Sequence, residues 1–448
     1  MKQTLETLKS YFETGDKPTQ TQYEDVFDSL VHKDDVLTIT TLNTLYIDAE
    51  SGDDATAEIG NINKPYLKID TAVTAFETLH PRQGDATDLE HPFLKIKLIS
   101  KGTYEINNQL PQRNICFESK EECTIDLSNN TNDYLNVLVA DTYHKYIFSI
   151  PNGKLLNNSN NRFYGDFLFF EGEFDTIECY GTAYSVFGKG FICANQINVT
   201  YKLLRGSGIV FSTLNNNAIN TFTGNLESIG AQLMVNNEGK GISYFDFDEA
   251  KGTHKLSLIK ASLASVSYVS FGKHKPDVAS EIMKISPTGK LYVHFKENAE
   301  TYGSFNAGET HFSGNKVSVN ASLARLQYKL FFNNVFVESS GALCSLIGME
   351  SQLFIKNSYI EIASSLVAIE TNVNFVVDML NFIGHNTIYQ TINPGNDLVT
   401  KYSGADPTGV AYKVELQNSL ITNGVLNTTI TGSTNTTATL TVETTNIY

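Results

Sequence analysis

Residues 46–76 read YIDAESGDDATAEIGNINKPYLKIDTAVTAF, and this stretch decides how the rest of the chain is read. Residues 45–48 are strand-like. Gly52-Asp53-Asp54 marks a tight turn, because Gly tolerates the backbone that turns require and Asp closes on its own main chain. A second turn runs from Asn61 to Pro65. Beyond it, Ile69, Ala72, Val73 and Phe76 recur at three- and four-residue spacing, which predicts a helix over 69–79 with one apolar side. A strand, two turns and one short helix thus lead into several hundred residues of short β-like runs separated by Asn, Ser, Thr and Gly.

Upstream, residues 1–35 read as a charged helical hairpin. Leu5, Leu8, Tyr11 and Phe12 define one stripe, Gly15-Asp-Lys-Pro18 breaks it, and Thr21 with Glu24 has the spacing of a capping box. Tyr23, Phe27, Leu30 and Val31 form the second stripe. Two helices of about ten residues do not hold together alone in water. Their stripes are expected to bury against sister copies or a larger assembly, or else to cap the following domain. Residues 36–40 are strand-like.

Downstream, strands are expected at 93–99, 114–118, 123–127, 134–139 and 146–150. Later apolar runs begin at Val335, Leu353 and Phe375, 18 and 22 residues apart. FIKNSYIEI (354–362), FVVDMLNFI (375–383) and YKVELQNSLI (412–421) belong to the same series. Strand repeats of about 20 residues indicate a solenoid, each turn burying its apolar face on the next. Asn at the turns suits such a stack, because a side-chain amide both donates and accepts between successive coils. The expected fold is therefore all-β, a parallel β-helix, with a sandwich or jelly roll as the competing arrangement. Spacing drifts over 251–330, which reads as a wide coil, an insertion or a separate β domain. The Thr/Asn-rich segment 421–448 alternates like a strand and is expected to associate with copies of itself. Four regions follow: a helical segment 1–35, a lead-in with its helix over 36–92, the solenoid over 93–420, and the terminal β segment 421–448.

Composition sets limits on function. At 448 residues the chain suffices for two or three domains or one elongated repetitive one. Charged residues are only 18%, yet 27 Phe and 22 Tyr supply ample core, so disorder is not expected. A net charge of −16 gives no general attraction for nucleic acid or anionic lipid. Cys116, Cys123, Cys179, Cys193 and Cys344 are scattered within apolar runs and read as buried free thiols. No metal site, no cofactor, no membrane-spanning run and no signal peptide are expected, which places synthesis in a cytoplasm.

The residues Tyr46-Ile-Asp48, Gly52-Asp-Asp54-Ala55, Gly60, Lys64-Pro65-Tyr66, Ile69 and Ala72 resemble the opening segment of right-handed β-helix proteins of the pectate-lyase-like superfamily. There, a strand passes through two such turns into a short helix that covers the exposed sheet edge at the end of the coil. Residues 1–35, with Phe12-Glu-Thr-Gly-Asp-Lys-Pro-Thr-Gln20 and His32-Lys-Asp-Asp35, resemble the N-terminal segment of tail-associated proteins from phages and prophages of Bacteroidetes hosts. Together these resemblances imply a virion tail fibre or tailspike. It would be a homotrimer, mounted on other tail or baseplate proteins through residues 1–35, and would recognise a host surface polysaccharide. Some proteins of this kind also depolymerise that polysaccharide.

The clustered Asp with a catalytic Arg or Lys that pectate lyases use is not found in this sequence. Glycoside hydrolysis needs a pair of carboxylates instead. In a strand, residues i and i+2 share a face, so Glu173 with Asp175 and Asp246 with Asp248 each present two acids side by side. They are the candidate catalytic residues, against the plainer reading of a solvated rim. Tyr244, Phe245 and Phe247 interleave with the second pair and are the candidate sugar contacts.

Overall fold

The computed structural model describes residue 19, residues 43–81, 93–137, 143–180 and 190–214, and the strands and corners of 218–447 apart from short stretches between them. The helical hairpin expected of residues 1–35 and the strand expected at 36–40 lie outside the described residues.

Every strand ladder described is parallel, and the strands join into one continuous sheet wound on itself as a right-handed-type solenoid. A sandwich or jelly roll would need antiparallel pairs, so the parallel pairing decides between the two expected architectures. In the later coils the chain visits three faces in turn. Cys344–Leu346, Gln352–Lys356 and Tyr359–Ile362 make one circuit, and Val367–Ile369, Val376–Ile383 and Asn386–Gln390 lie in register on them in the next.

The side-chain alternation of a strand sends every second residue inward. Parallel register then stacks inward residues of successive coils into columns. One column runs Leu45, Ile96, Phe117, Phe148, and later Val199, Phe222, Phe245, Val269, Val293, Phe312, Phe332 and Ile355. Phe117 and Phe148 stack with centroids 4.7 Å apart, and Phe222 and Phe245 at 5.1 Å. Between Phe148 and Val199 the column passes through Gly172. A Cβ there would sit 2.1 Å from the Phe174 ring, which fills the vacancy instead.

Asparagine serves the coils by gripping main chain. The Asn136 side chain both accepts from Tyr164 N and donates to Tyr164 O, each at 2.9 Å, 28 residues further on. Asn298, Asn334 and Asn357 turn corners with φ of 58°, 52° and 48°. Asn357 divides the run 354–362 into Gln352–Lys356 and Tyr359–Ile362, two strands on different faces. The 18-residue interval from Val335 to Leu353 joins two different faces and passes over a third, that of Cys344–Leu346. Val337 pairs with Ile360 and Leu330 with Leu353, 23 residues on, while Val317 pairs with Val337 and Ala324 with Cys344 at 20.

The ladder runs on through 251–330, where Val266–Pro276, Lys290–Thr301, Ser304–Gly314 and Ala324–Asn333 follow one another in parallel. Thr436–Ile447 pairs in parallel with Val410–Thr422 as a further rung. Of the strand expected at 134–139, the described residues 134–137 contribute isolated bridges at Tyr134 and Asn136. All five cysteines are free and buried, and burial pushes the Cys344 thiol up to about 12.

The lead-in folds as its sequence suggests. Gly52 is needed because a Cβ would lie 2.3 Å from the Tyr66 carbonyl oxygen. Asp54 accepts from the backbone N–H groups of Leu67 and Lys68 and from the Thr71 hydroxyl, fastening the start of the helix Ile69–Leu79. Ile69, Ala72, Val73 and Phe76 are its buried side and join the core. Asp70 accepts from Asn107 N at 2.9 Å, and Arg113 pairs with Glu77 at 2.7 Å while lying 4.9 Å from the centre of the Phe76 ring.

Two outcomes follow. Phe148→Ala removes a ring that touches four others and should lower unfolding free energy by about 3–5 kcal/mol. Urea denaturation measures this, with amide exchange rising first in Ile115–Glu118 and the paired part of Phe163–Cys179. The second concerns Asp48. Burial opposes its ionisation, but hydrogen bonds from Ser51, Ser100 and the backbone of Glu50 and Ser51 bring its carboxyl down to about 2. A depressed native value stabilises above the unfolded value of 3.8 and is lost as pH falls towards 2. Asp48→Asn should therefore melt earlier than the parent at pH 7 and together with it below about pH 2.

Candidate functional site

The outward side chains of the same rungs form columns as well, and one of them is aromatic. Register places Tyr244, Tyr268, Tyr292, His311, Phe331 and Phe354 one above another. Successive centroids are 5.1, 5.1, 4.6, 4.3 and 4.6 Å apart, and no neighbouring pair is inclined by more than 16°. The rung spacing of a sheet, roughly 4.8 Å, sets these separations. Tyr244 is 42% and Tyr268 39% exposed, so the stack is a ridge on the surface.

Polar rows flank the ridge. On one side lie Thr223, Asp246, Ser270, His294 and Ser313 in register. On the other, Glu309 receives the Lys290 ammonium at 3.1 Å and contacts His311 Nε2 at 2.7 Å. Burial works against the charge on Glu309, but the bonds from His311 and Lys290 prevail and hold its carboxyl below the usual range.

The two carboxylate pairs have different surroundings. Asp246 and Asp248 do share the outer face, and a single cation joins them: Lys296, two rungs away, contacts Asp246 Oδ1 and lies 2.7 Å from Asp248 Oδ1. Burial alone would lower the Lys296 ammonium, yet the bonds to both aspartates outweigh it and hold the lysine above its ordinary value. In the first cluster, Asp175 pairs with Lys202 at 2.7 Å and takes the Thr176 hydroxyl at 2.9 Å. Its neighbours Glu171 and Glu178 pair with Lys145 and Lys154. Glu173 is exposed beside them, in register with Ser149 and Thr200.

Of the three expected sugar contacts, only Tyr244 reaches solvent. Phe245 and Phe247 are core rings, 3% and 2% exposed, and offer no face to a ligand. The alternation that puts Tyr244 outside puts them inside. Five ridge residues, Tyr268, Tyr292, His311, Phe331 and Phe354, were not singled out from sequence. Their signal lies in the segments Ser243-Tyr-Phe-Asp-Phe247, Ser267-Tyr-Val-Ser-Phe271 and Leu291-Tyr-Val-His-Phe295, each one rung apart, which repeat an outward Tyr followed by inward and outward positions and an inward Phe.

Among the described residues no group of three or more His, Cys, Asp or Glu side chains is placed to hold a metal ion, and no helix is long and apolar enough to cross a membrane. A shallow open cleft on the surface is lined by Glu227, Glu249, Lys251 and Lys275 among others. Its carboxylates face bases, Arg205 to Glu227 at 3.4 Å and Lys251 to Glu249 at 3.7 Å. Compared with protein-family models, with curated proteins and with solved structures, the chain matches none.

Lys296→Ala leaves two carboxylates side by side without their cation. The variant should lose up to about 1 kcal/mol at pH 7, because both aspartates are substantially exposed. Chemical denaturation of the variant and the parent reads the difference.

Proposed function

We propose that this chain is a structural and glycan-recognising appendage of a phage tail. It would act as a homotrimer in the virion, mounted on other tail or baseplate proteins through residues 1–35, and bind a host surface polysaccharide along the outer face of its solenoid. The observation that carries the recognition part is the ridge from Tyr244 to Phe354, an exposed aromatic strip flanked by polar and charged rows. Aromatic surface beside hydrogen-bonding side chains complements a sugar chain, which has apolar C–H faces and hydroxyl edges. The resemblance of residues 1–35 and of the Tyr46–Ala72 segment supports the tail assignment. A binding rather than a degrading role is favoured because Asp246 and Asp248 share the charge of Lys296 and Asp175 pairs with Lys202, a setting that works against the protonated form a general acid needs.

Incubating the purified protein with capsular polysaccharides of candidate host bacteria tests this. Retention on the polysaccharide without new reducing ends or unsaturated products is expected, together with a sedimenting species of three chains of 49.6 kDa each. Release of oligosaccharide would replace the binding role by depolymerisation, and alanine at Asp246 and Asp248 would then abolish it. A stable monomer that binds no polysaccharide would overturn the proposal.

A further inference from the structure

We propose that the outer face of the Tyr244 ring is a subsite for a single neutral pyranose, seated against the step formed by Asn198, Thr221, Thr223 and Asp246. This deepens the glycan-recognition reading above and rests on it. Within the ridge, the rings from Tyr268 to Phe331 each have neighbours on both faces, so they turn only their edges to solvent. A sugar ring stacks on a flat face, not on an edge. The ridge therefore offers a stacking surface only at its ends, and Tyr244 is the end towards the N-terminal coils.

The next rung on that side breaks the aromatic column. Thr221 stands in register with Tyr244, and Asn198 with Thr221. Both side chains are short and hold each other, the Thr221 hydroxyl donating to Asn198 Oδ1 at 2.6 Å. Tyrosine reaches several ångströms further from the sheet than threonine, so the outer part of the Tyr244 ring stands clear above the step. A pyranose lying on the step meets the ring with its C–H face. Its hydroxyl edge meets the Asn198 amide, the Thr223 hydroxyl and the Asp246 carboxylate in the adjoining row.

Charge selects the kind of sugar. Asp246 and Asp248 bring two carboxylates to one lysine beside the ring, and the whole chain carries −16. A uronic or sialic acid would meet repulsion here, whereas a carboxylate is a strong acceptor for neutral hydroxyls. The occupant is accordingly a neutral hexose unit of a polysaccharide.

Saturation-transfer NMR and calorimetry on the full-length protein with cellohexaose, maltohexaose, laminarihexaose and chitohexaose as neutral probes, and hexagalacturonate as the anionic one, test the subsite. At least one neutral probe should bind, with transfer strongest to ring C–H protons, and hexagalacturonate should not. Tyr244→Ala should weaken binding at least tenfold, and Tyr244→Phe, which keeps the face, by less than threefold. Tyr302→Ala removes an equally exposed ring elsewhere and should change nothing. Equal melting temperatures show that the variants are folded. Unchanged affinity in Tyr244→Ala, equal loss in Tyr302→Ala, binding of hexagalacturonate, or no binding of any neutral probe overturns the subsite. Capsular polysaccharide retained equally by the parent and Tyr244→Ala would overturn the subsite and leave the broader reading standing. Polysaccharide bound by neither would remove both.

Discussion

The hydrogen-bond ladder between successive coils is the constraint on which the rest depends. In a parallel sheet each residue lies above its register partner, about 4.8 Å away, and points the same way. Whatever occupies a position in one coil therefore becomes the direct neighbour of the corresponding position in the next. The inward columns turn this into a core of stacked rings, from Phe117 on Phe148 to Phe312 on Phe332. Each such pair contributes about 0.5–1.5 kcal/mol beyond the area it buries. Stability is distributed along the solenoid, because each coil draws mainly on the two beside it.

The same constraint acts outside, where it creates a surface instead of a core. Tyr244, Tyr268 and Tyr292 stack because the ladder leaves them no other neighbour at that height. Charges follow the rule as well: Lys316 meets Glu338, and Lys145 meets Glu171, across single rungs. A net charge of −16 spread over such rows is tolerable, since many acids of the outer face have a base one or two rungs away. This pairing also accounts for the acidic clusters. In each cluster a base from another rung lies among the acids, Lys202 on Asp175 and Lys296 on Asp246 and Asp248.

The start of the coil needs a different solution, because its first described rung, Thr44–Ile47, has the helix Ile69–Leu79 packed near it. The helix is tied down at three points: the Asp54 carboxylate at its start, the backbone N–H groups of Asn107 and Asn108 on Asp70, and Arg113 on Glu77. Turn chemistry supports it from below, with Gly52 against the Tyr66 carbonyl and Gly60 at φ 80°. Local sequence and tertiary contact agree throughout this segment.

The sequence by itself determined the strand-rich class, the lead-in turns, the helix with its four buried residues and the burial of the cysteines, since each rests on local periodicity or composition. It also implied repetition near 20 residues, which rungs such as Phe312 on Phe332 and Val317 on Val337 keep. The step from Val335 to Leu353 is not a rung but passes over the face of Cys344–Leu346, which only the strand pairing shows. Which residues gather into a site was decided by tertiary structure alone. Tyr244, Phe245 and Phe247 are equivalent as aromatic letters, yet the pleat sends one outward and two into the core. Asp246 meets Lys296 across 50 positions of chain, and His311 meets Phe331 across 20, because winding, not sequence proximity, sets who lies above whom.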